Sequence, residues 1–290
     1  MSFSEFLIAN DCESYVQAMI NIENIDMLQI IHEKLIEQLK LYYVIGGMPE
    51  VVKKWIETKN VEMVYKLQQN IINAYIDDFG KHTTVSEATK ITAIYECIPS
   101  QLAKKNKKFL YQTIKQGARA REYEIALNWL VDANLTYKSY NVSKPEIPLK
   151  AYQDIGAFKI YMNDVGLLTR HSNLDGSFIK KAEFQNEFKG SLTENFVFNH
   201  LINDFNIIPN YYTFKQYEID FLLQYKNYII PIEVKSGENT KSNSLKIYNE
   251  IYEPKMKVKL STKLFKKDEN SINIPLYMVE YIDLILNKYM

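Results

Sequence analysis

Residues 218 to 237 read EIDFLLQYKNYIIPIEVKSG, two apolar runs around the polar break QYKN, with Asp220, Glu233 and Lys235 inside the runs. Charges inside strand-like segments are unfavourable unless something compensates them. Taken as a hairpin with QYKN as its loop, the segment sets Leu223 opposite Tyr228, Asp220 opposite Pro231 and Glu233 opposite Glu218. Side chains alternate across a strand, so in this register Asp220, Pro231, Glu233 and Lys235 share one face. Ile230, Ile232 and Val234 point the other way, into a core. Asp220 and Glu233 are then diagonal neighbours, roughly 7–8 Å apart at the backbone and able to converge on one ion. Adjacent carboxylates repel unless a cation lies between them, and hard oxygen ligands suit magnesium or manganese. Lys235 would orient a water on such a metal, or stabilise charge on a phosphate in transfer. Metal-dependent phosphodiester hydrolysis fits these groups. An Asp/Glu/Lys salt-bridge cluster along a sheet edge fits the same spacing, and spacing alone does not choose.

The elements that must hold these residues follow from periodicity. Residues 1–83 are predicted to be helical, with apolar positions three and four apart in IDMLQIIHEKLIEQLKLYYVI. Gly46 and Gly47 end that helix and Pro49 starts the next; no GK[ST] follows the glycines, so they are read as a turn rather than a phosphate loop. Residues 84–170 give three helical pieces, EATKITAIYECIPSQLA, FLYQTIKQ and REYEIALNWLVDAN, then the strand-like LTYKSYNV, a Pro-containing turn and AFKIYMNDVGLL, three helices and a small hairpin in the order of a winged helix. Lys104, Lys105, Lys107, Lys108, Lys115, Arg119 and Arg121 occur there with no acid from 104 to 121. They are either a solvated face or a phosphate-binding one. RHSNLDG at 170–176 reads as a linker. Residues 175–290 then mix helix SLTENFVFNHLINDF, strands YEIDFLL and YIIPIEVKS, helix NSLKIYNEIY, strands KMKVKLST and IPLYMVEY, and a closing helix. The fold class expected is α+β. Lys255, Lys257 and Lys259 alternate with Met256, Val258 and Leu260, giving a strand with a basic face, for edge protection or for nucleic acid.

EID, twelve further residues and EVK resemble the PD-(D/E)xK nuclease motif, with Ile219 where its leading proline would stand. More widely, YYVIGGMPEVV, REYEIALNWLVDANL, FKIYMNDVGLL, KGSLTENFVFNHL and EIDFLL…PIEVKSG resemble the C-terminal region of prokaryotic AAA-superfamily ATPases, from residue 38 to 290. That region is known as a domain of unknown function with a nuclease-like fold. The resemblance implies a helical lid remnant over 1–83, a winged-helix-like unit over 84–170 and a restriction-endonuclease-like α/β domain over 175–290. It implies Mg2+ or Mn2+ on Asp220 and Glu233, Lys235 at the attacking water, and Glu194 as a further helix carboxylate. Ser191-Leu192-Thr193-Glu194 also reads as a capping box, leaving two roles open for Glu194. Such ATPases carry a GxxxxGK[ST] loop that is absent here, so no ATP site is carried over. The chain is expected to be a fragment or shortened gene product whose partners are nucleic acid and an ATPase core or other protein.

Composition excludes little. There are 35 basic and 35 acidic residues, so net charge names no partner. Cys12 and Cys97 stand far apart with no CxxC partner, so neither a zinc site nor a disulfide framework is indicated. The N-terminus MSFSEFLIANDCES lacks the basic start of a signal peptide, and no apolar run reaches the roughly 18 residues of a membrane span. The expected location is the cytoplasm, with no membrane contact. His32, His82, His171 and His200 show no ligand spacing.

Overall fold

Side-chain caps at Ser2, Asn60, Thr84, Asp164 and Ser242 start five of the helices. The computed structural model describes residues 1–21, 25–81, 83–104, 106–174, 187–237 and 242–290. In chain order the helices are α1 (Phe3–Ala9), α2 (Glu13–Ile20), α3 (Ile25–Ile45), α4 (Pro49–Thr58), α5 (Val61–Phe79), α6 (Val85–Leu102) and α7 (Ala120–Asp132). Strands β1 (Thr136–Val142) and β2 (Gln153–Met162) precede α8 (Val165–His171) and α9 (Glu187–Phe205). Then come β3 (Asn210–Phe214), β4 (Tyr217–Tyr225), β5 (Tyr228–Lys235), α10 (Asn243–Tyr252), β6 (Lys257–Ser261), β7 (Lys266–Asp268), β8 (Ser271–Pro275) and α11 (Ile282–Tyr289). This is the α+β class expected from the sequence.

The chain forms two units, one of residues 41–138 and 158–195 with Met1, the other of 2–40, 139–157 and 196–290. The first is mainly helical. Asn60 caps α5 by accepting from the N–H groups of Glu62 and Met63, and Thr84 with Glu87 forms a capping box on α6. The end of α3 is held by tertiary bonds. Gln68 donates to the carbonyls of Val44 and Ile45 (2.8 and 3.1 Å), and the Thr169 hydroxyl donates to the carbonyl of Tyr43 (2.6 Å). These are the orphan acceptors every helix C-terminus must satisfy. Gly46 turns the chain at φ +76°, and the next N–H, on Gly47, donates to Asp164 (2.7 Å). Asp164 also caps α8 through the N–H of Leu167 (2.8 Å). A Cβ on Gly166 would lie 2.6 Å from backbone atoms of Ile45 and Gly46, so two backbones meet here with no room for a side chain. The GGMP and NDVGLL stretches are thus two halves of one clasp.

FLYQTIKQ is not a helix; only a 3-10 turn forms, at Tyr111–Thr113. Its backbone is engaged elsewhere: Gln101 bonds both the N–H and the carbonyl of Leu110, and the Phe109 N–H donates to Phe158. The linker reading of 170–176 also changes at its start, because Arg170 and His171 close α8, bonded to Gln69 and to the Tyr95 carbonyl.

Among the described residues the strands of the sheet order as β2-β1-β3-β4-β5-β6-β8-β7, and β3 to β8 lie wholly in the second unit. The strands after α7 enter this sheet, with β1 parallel to β3. One sheet face packs Leu222 and Ile219 into a cluster with Tyr212, Phe214, Leu245 and Tyr248, the last two from α10. Phe221 meets Phe198 of α9, with ring centres 6.0 Å apart. IPLYMVEY is a strand only to Pro275, after which Leu276–Tyr281 form a 3-10 turn; proline has no N–H for the ladder. That turn carries Glu280, which accepts from the N–H groups of Phe3 and Ser4 and lies 3.0 Å from His200 Nε2. Burial would raise the Glu280 pKa, but the His200 hydrogen bond and charge, with Ser4, bring it down to about 2.

Two outcomes follow. Asp164→Ala strands the N–H groups of Gly47 and Leu167 and is expected to cost about 2–4 kcal/mol in urea denaturation, with Gly166→Ala also destabilising. Because the folded pKa of Glu280 is depressed from its ordinary 4.5, its contribution is full above about pH 4.5 and disappears as pH falls toward 2. Thermal melts over that range should show an acid-dependent loss, on the order of 3 kcal/mol at most, that Glu280→Gln removes.

Candidate functional site

The site begins with a two-residue hairpin. Tyr225 pairs with Tyr228, and the ladder runs Gln224–Ile229, Leu223–Ile230, Leu222–Pro231 and Phe221–Ile232. Lys226 takes a left-handed conformation, φ +54°, as tight hairpin turns require. This corrects the register expected from a four-residue loop. Asp220 is not opposite Pro231, nor Glu233 opposite Glu218; the loop is only Lys226 and Asn227, so Gln224 and Tyr225 lengthen the strand. The residues next in register beyond Phe221 and Ile232 are Asp220 and Glu233.

The other side of β4 carries a bulge. Leu222 pairs with Asn210 and Ile219 with Tyr212, so β4 takes three steps where β3 takes two. The extra residue lies in the Asp220–Phe221 step, and it lets Ile219 and Leu222 enter the same core cluster. Bulges re-aim side chains. Asp220 is therefore oriented by a specific bond rather than by the pleat: its Oδ2 accepts the N–H of Val234 at 2.7 Å. Val234 is the residue between Glu233 and Lys235. Glu233, 4% exposed, accepts from Lys235 Nζ at 2.7 Å. Asp220, Glu233 and Lys235 are thus brought to one place, at the C-terminal end of β5, where its neighbours change from antiparallel β4 to parallel β6. Open α/β sheets bind ligands outside such strand ends. The two carboxylates could give a divalent cation two oxygens, with water filling its remaining positions. Among the described residues no group of three His, Cys, Asp or Glu forms a fuller cage.

Glu194 belongs to the first unit and is not in a capping box. α9 starts at Glu187, a turn earlier than expected, which puts Ser191 inside the helix, where its hydroxyl donates to the Leu102 carbonyl (2.7 Å). Glu194 is buried, bonded by Lys107 and lying 3.5 Å from the Tyr161 hydroxyl. The basic run divides accordingly. Lys107 pairs with Glu194, Lys104 bonds Thr113, and Lys108 is half-buried in a bridge to the backbone of Lys159. Lys115, Arg119 and Arg121 are exposed, while Lys105 and His82 lie outside the described residues. Lys159 is fully buried, a position the sequence reading passed over. The only signal was a lysine within the apolar stretch AFKIYMNDVGLL.

β6 is not an edge strand. It lies between β5 and β8, parallel to both, so edge protection does not explain Lys257 and Lys259.

Two family profiles match the chain, each described as a domain of unknown function: DUF8612 over residues 36–177 and DUF4143 over residues 189–279. The second covers the hairpin, α10 and β6. No curated protein and no solved structure matches the chain. Among the described residues no helix is long and apolar enough to cross a membrane.

Removing Lys107 would leave Glu194 a buried charge without its ammonium. Lys107→Met is expected to lower stability by about 3 kcal/mol in urea denaturation, and a second change, Glu194→Leu, should recover most of that loss.

Proposed function

We propose that the second unit carries a Mg2+- or Mn2+-dependent site that hydrolyses phosphodiester bonds of nucleic acid. The observation that carries this reading is the Asp220 carboxylate on the Val234 N–H, which places it one residue from both Glu233 and Lys235. Asp220 and Glu233 would hold the ion. A bound divalent ion would supply Lewis acidity and a hydroxide-like water at neutral pH. Its charge would take over the role of the Lys235 ammonium at Glu233, leaving that ammonium to orient the attacking water or meet charge on the phosphate. The motif EID…EVK, matching the nuclease pattern except at Ile219, supports the same assignment. An ATPase core or another protein is the proposed partner, from the likeness to the C-terminal part of AAA-type ATPases.

The Lys235–Glu233 ion pair favours a second reading. In it the same unit is a non-catalytic module that binds DNA or protein and regulates an ATPase, with the three charges compensating one another.

Nicking of supercoiled plasmid by the full chain, with Mg2+ or Mn2+, decides between them. Asp220→Ala and Glu233→Ala are each expected to slow cleavage about a hundredfold or more. Independently of activity, Mg2+ should raise the melting temperature of the native chain and not of these variants. Absence of both effects in the native chain would leave the regulatory module as the function.

A further inference from the structure

Beside the acid pair, on the next strand, lies a groove that neither the motif nor the family matches assign. β6 pairs with β5 in parallel register, Glu233 with Lys259, so these two side chains leave the same face of the sheet on adjacent strands. Lys257, two residues back, leaves that face too. α10 lies over this face, packing Leu245 against Leu222. Between helix and strands is a cavity of about 290 Å3, lined by Ser242, Lys246, Asn249, Lys257, Lys259 and Ser271 among others. Among the described residues, three ammonium groups line it against one carboxylate, that of Glu250.

The key group is Lys257. It is half-buried, and its ammonium donates to the neutral amide oxygen of Asn249 (2.8 Å), which is braced in turn by the Asn270 amide (2.9 Å). Burial holds the Lys257 pKa below its ordinary value. A partly dehydrated cation resting on a dipole is an arrangement that an anion completes. Lys257 and Lys259 stand about 6.6 Å apart along the strand, too far to share a single phosphate oxygen but suited to separate phosphates.

We propose that the groove between α10 and β6 binds the phosphodiester backbone of a nucleic acid strand, with Lys246, Lys257 and Lys259 on its phosphates. The polymer then runs along β6 to the strand position beside Glu233. The choice of polymer rests on the hydrolytic reading above; the anion seat rests on the groove alone.

The experiment is fluorescence anisotropy of labelled DNA and RNA oligonucleotides with the full chain, in EDTA to prevent cleavage, across a salt series. Lys257→Met with Lys259→Met should weaken binding at least about tenfold and reduce the salt slope by about one to two. Lys246→Gln with Lys259→Gln should act in the same direction without disturbing the Lys257–Asn249 bond, which guards against misfolding. No binding by the native chain overturns the proposal. So does binding that ignores both pairs and falls instead with Lys115→Gln, Arg119→Gln and Arg121→Gln. The two readings separate cleanly. Cleavage that persists undiminished in the lysine variants refutes the groove and leaves the hydrolytic site. Lysine-dependent binding in a chain that never cleaves refutes hydrolysis and leaves the groove.

Discussion

A charge taken out of water must be compensated, and the compensating groups fix much of this structure. Asp164 joins the end of α3 to the start of α8 because its two oxygens answer two backbone N–H groups, of Gly47 and Leu167. Glu194 is held by Lys107, and Glu280 by His200 and the first amides of α1. Each pair links segments far apart in sequence, so losing one partner loosens more than a local contact. Burial raises the Asp164 pKa while its hydrogen bonds oppose that rise, a balance that only a closely fitted site can hold.

The hairpin obeys the same constraint in a form open to chemistry. Glu233 is buried beside Lys235, and Asp220 is turned onto the Val234 N–H by the bulge in β4. The Lys235 ammonium supplies the compensating charge at Glu233, and the Val234 N–H supplies the partner for Asp220. Lys257 departs from the rule, since it meets a neutral amide rather than a carboxylate. Glu233 and Lys259 are register partners on adjacent strands, so an acid and a base stand side by side on one sheet face.

Several features were legible in the residues alone. The helical repeat and its terminating glycines set α3, Pro49 set the start of α4, and NSLKIYNEIY is α10 as a whole. The three charges at 220, 233 and 235 were visible because they interrupt apolar runs. Their pairing was not, since a hairpin register depends on loop length and a bulge has no sequence mark strong enough to locate it. The capping box at Ser191 failed for a related reason: a cap motif cannot show that the helix has already begun.

The sequence by itself determined the α+β class, the main helices and the candidate acids, because these depend on periodicity and residue type within a short window. Tertiary structure alone decided that β6 lies inside the sheet, that Lys107 answers Glu194, and that the glycine pair receives Asp164. Each of these is a contact between segments distant in the chain. Nothing in a local window fixes which partner will compensate a buried charge or flank a strand; only the packed fold brings the two together.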